Sequence, residues 1–232
     1  LGYLDWDDGT GYSYRDLDGK TAVTTKVASI AANRGIVVVT SAGNGGPGPG
    51  SISTPADAFD ILSVGAVSPN GIIANFSSRG PTYDGRIKPE ICAQGVSCFV
   101  AEGSGVNFYG YANGTSCSAP LAASATALIL QAHPDWTPYE VIESIKNTSS
   151  NYASPDNDYG WGIINLFAAM NYVFNLSADI DENGTVDGND LAMLSSLFGI
   201  RRSNQRWNPA ADLDHNGIID GEDLAIFTSK FK

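Results

Sequence analysis

Ile36-Val37-Val38-Val39-Thr40-Ser41-Ala42-Gly43-Asn44-Gly45-Gly46 is the stretch that decides the fold. Its β-branched run, Ile36 to Thr40, reads as a strand buried on both faces, because a half-exposed strand would alternate apolar with polar residues. The run ends in small residues and an Asn-Gly pair, which is turn chemistry. A second run of the same kind is Ile61-Leu62-Ser63-Val64-Gly65-Ala66-Val67. Upstream of both, Thr21 to Asn33 carries Val23, Val27, Ile30 and Ala31 at helical spacing, and Gly35 closes it. Downstream, Cys98 to Ala101 and Asn107 to Tyr111 flank a Glu-Gly-Ser-Gly turn and predict a hairpin. Thr115 to Ala132 predicts a long apolar helix ended by His133-Pro134. Thr137 starts another, with Pro138 in its first position and Val141, Ile142 and Ile145 on one face. Strand–helix alternation with buried strands implies an α/β domain built on a parallel sheet.

The character changes near Ser177, where the chain begins to repeat itself. Asp179-Ile-Asp-Glu-Asn-Gly-Thr-Val-Asp-Gly-Asn-Asp190 is matched 33 positions later by Asp212-Leu-Asp-His-Asn-Gly-Ile-Ile-Asp-Gly-Glu-Asp223. Leu191, Leu194 and Phe198 correspond to Leu224, Phe227 and Phe231, each set on one predicted helical face. The boundary falls around Asn175 to Ala178, giving an α/β domain over 1–174 and a small all-α module over 177–232.

The formal net charge is −12, from 25 acidic and 13 basic residues, with no basic stripe to neutralise phosphates; a nucleic-acid partner is excluded. No segment reaches the roughly 20 apolar residues of a membrane span. Cys92, Cys98 and Cys117 form no CxxC pair and read as buried thiols, with a Cys92–Cys98 bridge as the alternative. The chain begins at Leu1 without an initiator Met or a signal peptide, which reads as a piece of something longer.

Gly114-Thr115-Ser116-Cys117-Ser118-Ala119-Pro120 opens the long helix. A serine there has its own N–H among the unpaired donors of the first turn, where the helix dipole favours negative charge, so an oxyanion formed beside Ser116 is stabilised. The same heptapeptide also fits a plain Ser/Thr cap before a core helix. Asn44 lies just past a buried strand, where open α/β sheets place their ligands, and its amide can donate to an oxyanion. Taken alone, it also fits a common Asn-Gly turn.

Together these segments resemble the subtilases, the subtilisin-like serine proteases, in order along residues 1 to 172. Leu1-Gly2 is similar to the end of the family's Ser-Leu-Gly substrate-binding strand. Ser41-Ala42-Gly43-Asn44 is similar to the S1 wall followed by the oxyanion Asn. Ile61 to Val67, Phe76-Ser-Ser-Arg-Gly80, Lys88-Pro89-Glu90, Gly114-Thr115-Ser116 with Ala119-Pro120, and Tyr159-Gly160-Trp161-Gly162 with Asn165 continue the match. The resemblance implies a peptidase acting on protein or peptide substrates. Ser116 would be its nucleophile, Asn44 its oxyanion donor, and Leu1, Gly2, Ser41, Ala42, Gly43, Gly114 and Thr115 its substrate-binding residues. Cys117-Ser118 replaces the family's usual Met-Ala, and Gln94 stands where Pro is commoner.

A serine nucleophile needs an adjacent base. In this family the Asp and the His, the latter in a His-Gly-Thr setting, precede every segment quoted above. The sequence has two histidines. His133 lies 17 residues beyond Ser116 on the same predicted helix, roughly 25 Å away at the helical rise, and His215 lies in the second acidic loop. Asp8-Gly9-Thr10-Gly11 imitates the Asp-Thr-Gly motif but falls out of order, and reads as an exposed turn. The catalytic Asp and His are therefore expected upstream of Leu1, the peptidase domain is N-terminally incomplete, and the chain as given is expected to be inactive.

In each acidic repeat, oxygen ligands occupy loop positions 1, 3, 5, 9 and 12, with Gly at 6. They are Asp179, Asp181, Asn183, Asp187 and Asp190 with Gly184, then Asp212, Asp214, Asn216, Asp220 and Asp223 with Gly217. Hard oxygens converging from one tight loop suit Ca²⁺, and the carbonyls of Thr185 and Ile218 would complete each set. Asp rather than Glu closes both loops, and no helix precedes either. In these features the module resembles the EF-hand-like dockerins, which implies a cohesin-like partner and a secreted, extracellular setting. The Ser-Thr that type I dockerins often carry at positions 10 and 11 is replaced by Gly188-Asn189 and Gly221-Glu222. The competing reading, from a different class, is a non-catalytic protease-like scaffold that carries a calcium-dependent binding module.

Overall fold

The structure, a computed structural model, describes residues 4, 7, 10–103, 105–173, 178–181, 183, 185–202 and 204–231. The chain divides into two compact units, Leu1–Tyr172 and Val173–Lys232. The boundary expected over Asn175 to Ala178 lies largely outside the described residues.

In the first unit, three parallel strands form a sheet in the order β1 (Val39–Ser41), β2 (Leu62–Val67), β3 (Ile91–Gln94). Val39 stands opposite Leu62, and Val64 opposite Ile91. Every residue of the central β2 is buried, as its unbroken apolar run requires. The β1 ladder starts later than the β-branched run: Ile36 is exposed and Val37 and Val38 are half-buried. Helix α2 (Thr115–Ala132) packs Ala122 and Ile129 into one cluster with Leu62, Val64, Ile91 and Ala93. Helix α3 (Pro138–Thr148) adds Val141, Ile142 and Ile145, and α4 (Leu166–Met170) adds Ala169. The hairpin pairs β4 (Cys98–Ala101) with β5 (Tyr109–Ala112) and delivers the chain to Gly114.

Helix α1 (Val23–Ala32) forms where the spacing puts it, but the stripe that signals it is not the face it buries. Val23, Val27 and Ile30 are 63%, 59% and 59% exposed, whereas Thr25, Ala28 and Ala32 face inward. A polar anchor accounts for the rotation. Asp57 is fully buried and must be satisfied. The Thr25 hydroxyl donates to its Oδ1 at 2.5 Å and the Gly19 N–H to its Oδ2 at 2.9 Å, and the small residues of α1 close against Ala58 and Ile61. A second buried charge is Lys88, which pairs with Glu90 and donates to the Ala58 carbonyl at 3.0 Å. Burial pushes the Lys88 ammonium down and the neighbouring Glu90 opposes it. Glu90 also accepts from the Ser63 N–H and hydroxyl at 2.7 and 2.6 Å, so the pair ties the approach to β3 onto β2.

The second unit holds α5 (Gly188–Ser196) and α6 (Gly221–Lys230) around a core of Ala178, Ile180, Leu194, Leu197, Ala211, Leu213, Ile219 and Phe227. The repeat-matched Leu194 and Phe227 are wholly buried. Phe198 and Phe231 lie beyond the helix ends and are about half exposed, unlike the single helical face expected of them. Beyond α5 the chain turns at Gly199, whose φ is +81°, and pairs with the second loop: Gly199 N–H donates to the Ile219 carbonyl and Ile219 N–H to that of Ile200. Among the described residues no helix is long and apolar enough to cross a membrane.

Candidate functional site: a serine at a helix start and two acidic loops

Asn44 follows β1 and Ser116 is the second residue of α2, so both lie beyond the carboxyl ends of the parallel strands. The N-cap of α2 is Gly114, which has no side chain to cap the helix. Asn44 supplies the acceptor from a distance of 71 residues: its Oδ1 takes the Thr115 N–H and the Thr115 hydroxyl, each at 2.9 Å. With the amide oxygen committed, the Nδ2 donor is turned to the other side. A Cβ added to Gly114 would lie 3.0 Å from Ser116 Oγ, 3.5 Å from Asn44 Nδ2 and 3.7 Å from Ser116 N. The nucleophile candidate and the two oxyanion-donor candidates thus surround one space, which stays open because residue 114 has no side chain. Gly114 is fixed there by its N–H on the Gly95 carbonyl at 2.8 Å, beside the end of β3, and its φ of +148° favours glycine. Ser116 itself is exposed. Pro120, one turn on, has no N–H to give the Ser116 carbonyl.

Of the residues expected to bind substrate, Gly43 is half-buried, Ser41, Ala42, Gly114 and Thr115 are buried, and Leu1 and Gly2 lie outside the described residues. Thr115 turns inward: besides donating to Asn44, its hydroxyl accepts the Gly43 N–H at 3.3 Å. It holds the loop of Asn44 against the helix of Ser116. That bond is a positioning role which spacing along the sequence did not reveal. The loop is pinned again by the Gly45 N–H on Ser78 Oγ and the Ser78 N–H on the Gly43 carbonyl, both at 2.9 Å.

His133 ends α2, hydrogen-bonds the Met170 carbonyl through Nε2 at 2.7 Å and stacks on Trp136 at 3.8 Å between ring centroids. His215 sits in the second acidic loop with φ +59°. The Asp8-Gly9 part of the predicted turn lies outside the described residues. The three cysteines are free thiols; burial pushes Cys92 up to about 12, and Cys98 is also raised by burial and, secondarily, by Cys117.

In the second unit, carboxylate oxygens of Asp179, Asp181 and Asp190 lie within 4.8 Å of one another, as do those of Asp212, Asp214 and Asp223. The repeat in sequence is a repeat in geometry. Asp190 accepts the N–H groups of Ile180, Asp181 and Asp187 at 2.6, 3.0 and 2.8 Å. Asp223 accepts those of Leu213, Asp214 and Asp220 at 2.5, 3.1 and 2.7 Å. Asp187 and Asp220 cap α5 and α6, accepting from Asn189 and Glu222. Asn183 and Asn216 accept the N–H groups of Thr185 and Ile218 at 2.9 and 2.8 Å. Gly184 lies outside the described residues.

The electrostatics of the two loops differ. Burial raises the Asp190 carboxyl, but its amide donors outweigh that and hold it below the usual range. Burial pushes Asp223 up, and Asp212 up to about 7. Asp212 is buried, and its Oδ1 has no hydrogen-bond partner. A buried, orphaned carboxylate oxygen beside two further carboxylates fits a hard divalent cation. The second loop also has a neighbour that its ligand spacing hides: Arg202, whose Nη2 lies 3.5 Å from Asp212 Oδ2. A basic doublet, Arg201-Arg202, between two acidic loops was the signal available for it.

A model of the subtilase family matches residues 6–162, and a model of the dockerin type I domain matches residues 177–231. The serine protease AprX of Bacillus subtilis is 38% identical over 155 residues, which cover 58% of this chain and 35% of that protein. Subtilisin Savinase of Lederbergia lenta is 34% identical over 170 residues, covering 72% of this chain and 59% of that protein. Proteases from Pseudoalteromonas arctica match with a TM-score of 0.53 at 30% identity, covering 65% of this chain and 47% of theirs. The chain therefore spans between 35% and 59% of the length of these two curated relatives. The ordered motifs and the Ser116–Asn44 geometry agree with these matches: the chain belongs to the subtilase family and continues into a dockerin type I domain.

Proposed function

We propose that these 232 residues belong to a secreted serine endopeptidase that hydrolyses peptide bonds through an acyl-enzyme on Ser116. The domain at 177–232 would attach it, in a calcium-dependent manner, to a cohesin-like protein outside the cell, and the peptidase portion occupies 1–174. The observation that carries the reading is the convergence of Ser116 Oγ, Ser116 N and Asn44 Nδ2 on the space left by Gly114. Ser116 Oγ attacks the substrate carbonyl carbon, and its proton passes to a base. The carbonyl oxygen takes up the negative charge and accepts from Asn44 Nδ2–H and the Ser116 N–H. Collapse breaks the C–N bond as the base passes that proton to the leaving amine, and water, deprotonated by the same base, then releases the acyl group as the acid and returns the proton to Ser116 Oγ. His133 is engaged at the far end of α2 and His215 lies in the second acidic loop, which supports a base and an Asp partner supplied by residues outside these 232.

In the second domain, Asp179, Asp181 and Asp190, and Asp212, Asp214 and Asp223, would each hold one Ca²⁺, joined by Asn183, Asp187 and the Thr185 carbonyl, and by Asn216, Asp220 and the Ile218 carbonyl. The ion supplies charge neutralisation that lets these carboxylates share one loop. The test is a fluorophosphonate probe, which requires an activated serine. It should leave the 232-residue chain unlabelled and label Ser116 once the native upstream sequence is restored, with Ser116→Ala abolishing the label. Robust labelling of the isolated chain would overturn the account of the base.

A further inference from the structure

The second acidic loop faces a fixed positive charge. Arg202 Nη2 lies 3.5 Å from Asp212 Oδ2, and the guanidinium carbon is 5.5 Å from the centre of the Trp207 ring. Its backbone N–H donates to the Gly217 carbonyl at 3.2 Å, and a Cβ on Gly217 would meet Nη2 at 3.8 Å. The side chain is 17% exposed, so the backbone bond, the indole and the glycine hold the guanidinium at the loop. Asp212 Oδ2 is shared between this cation and the Gly217 N–H, which donates at 3.0 Å. Its Oδ1 is the buried oxygen without a hydrogen-bond partner. One carboxylate therefore presents one oxygen to an internal cation and the other to the candidate metal position.

The first loop has no Lys or Arg at the matching place in the sequence. Arg202 precedes Asp212 by ten positions, and the residue ten before Asp179 is Ala169, in a helix of the first unit. The sequence between them, from Met170 to Ala178, contains no Lys or Arg. The two loops repeat in every ligand position, and an Arg ten positions ahead of the first ligand belongs to the second loop alone.

We infer that Arg202 is a tethered counter-cation that weakens Ca²⁺ binding at the second loop, so that the two loops fill in sequence, the first before the second. Two cations that share one carboxylate repel each other. A group that is largely out of solvent is screened little by salt, so the penalty persists at physiological ionic strength. Before metal binds, the same guanidinium offsets the mutual repulsion of Asp212, Asp214 and Asp223 and stabilises the loop. The inference rests on the reading of these loops as calcium sites.

The test is calorimetric titration of the full chain with Ca²⁺, paired with Tb³⁺ luminescence excited through tryptophan, in which Trp207 reports the second loop. The wild-type chain should show two unequal sites, with the Trp207-sensitised site filling last. Arg202→Gln and Arg202→Met should tighten that site about tenfold. Arg202→Lys, which keeps the charge, should stay within about twofold of wild type, as should Arg201→Gln, since Arg201 is exposed. Equal sites, a Trp207 site that fills first, or neutral variants that bind no more tightly would overturn the inference. Absence of any binding by the wild-type chain would instead defeat the calcium reading on which it stands. Should the neutral variants misfold, the filling order of the wild-type chain still decides.

Discussion

The serine site and the acidic loops are assembled in opposite ways. Asn44 reaches Thr115 across 71 residues, and Gly114 is held by Gly95, so the serine site exists only when strands, hairpin and helix are all in place. Each acidic loop gathers its carboxylates within 12 residues, through bonds that span ten positions from Asp190 to Ile180 and from Asp223 to Leu213, and the second is tied in addition to Gly199, Ile200 and Arg202. A site built across a fold fails when part of the fold is absent. A site built mostly within one loop fails chiefly through its own residues and near neighbours, or for want of its ion. The peptidase unit should therefore respond to restored sequence and ignore metal, and the second unit should do the reverse.

The largest effect tests the first half of that contrast. In the complete enzyme, Ser116→Ala should lower kcat by about 10⁶, a figure known for subtilisin rather than obtained from this geometry, with circular dichroism unchanged. Retained turnover would remove Ser116 from the chemistry.

Asn44 comes next, because the proposed mechanism gives it a catalytic task beside its observed hold on Thr115. Asn44→Ala should lower kcat by about 10²–10³, the range known for a subtilisin oxyanion amide, with KM nearly unchanged. It should also cost about 1 kcal/mol of stability, since the Thr115 N–H loses its acceptor. Asn44→Asp keeps that acceptor and loses the donor, so its melting temperature should recover while its kcat does not. If the two properties moved together in both variants, the division of labour between Oδ1 and Nδ2 would be wrong.

Chelation tests the other half. Calcium added to the chelated full chain should increase helix content through α5 and α6, and hydrogen exchange should slow over 178–231 while β2 and α2 stay unaffected. Asp190→Ala should remove one of two binding events and leave the other within a few-fold. Identical spectra with and without Ca²⁺, or a change spread over both units, would break the contrast.

The smallest effect sharpens it. Thr115→Val deletes the hydroxyl that bridges Asn44 and Gly43 while keeping the side chain's shape. One hydrogen bond's worth of mispositioning should lower kcat about fivefold to tenfold at constant KM. A raised KM with unaltered kcat would make Thr115 a substrate contact instead.

The same contrast explains what could be read in the sequence. The two carboxylate clusters were legible because the acidic residues are spaced by the loop itself. The parallel sheet was legible from two unbroken apolar runs, and α2 from Thr115 to Ala132 matched to the residue. Asn44 and Ser116 could be paired only through the order of many motifs, since nothing local to either names the other. The burial of α1 escaped periodicity because a buried Asp57 and its Thr25 partner fix the rotation of that helix. Arg202 escaped because its contact with Asp212 depends on a turn at Gly199 that returns the chain to the second loop.

Gly114 has a consequence for how such proteins diverge. The reactive space is defined by one absent side chain at a φ of +148°, and any L-residue there would place a carbon 3.0 Å from the serine hydroxyl. A glycine codon is one nucleotide change from alanine, valine, aspartate or arginine. On the proposed mechanism a single base change would thus silence the enzyme at a position that carries no catalytic atom, while the two cores and both acidic loops remain as they are. Screens for inactive paralogues that inspect only the nucleophile, base and acid would score such a descendant as competent.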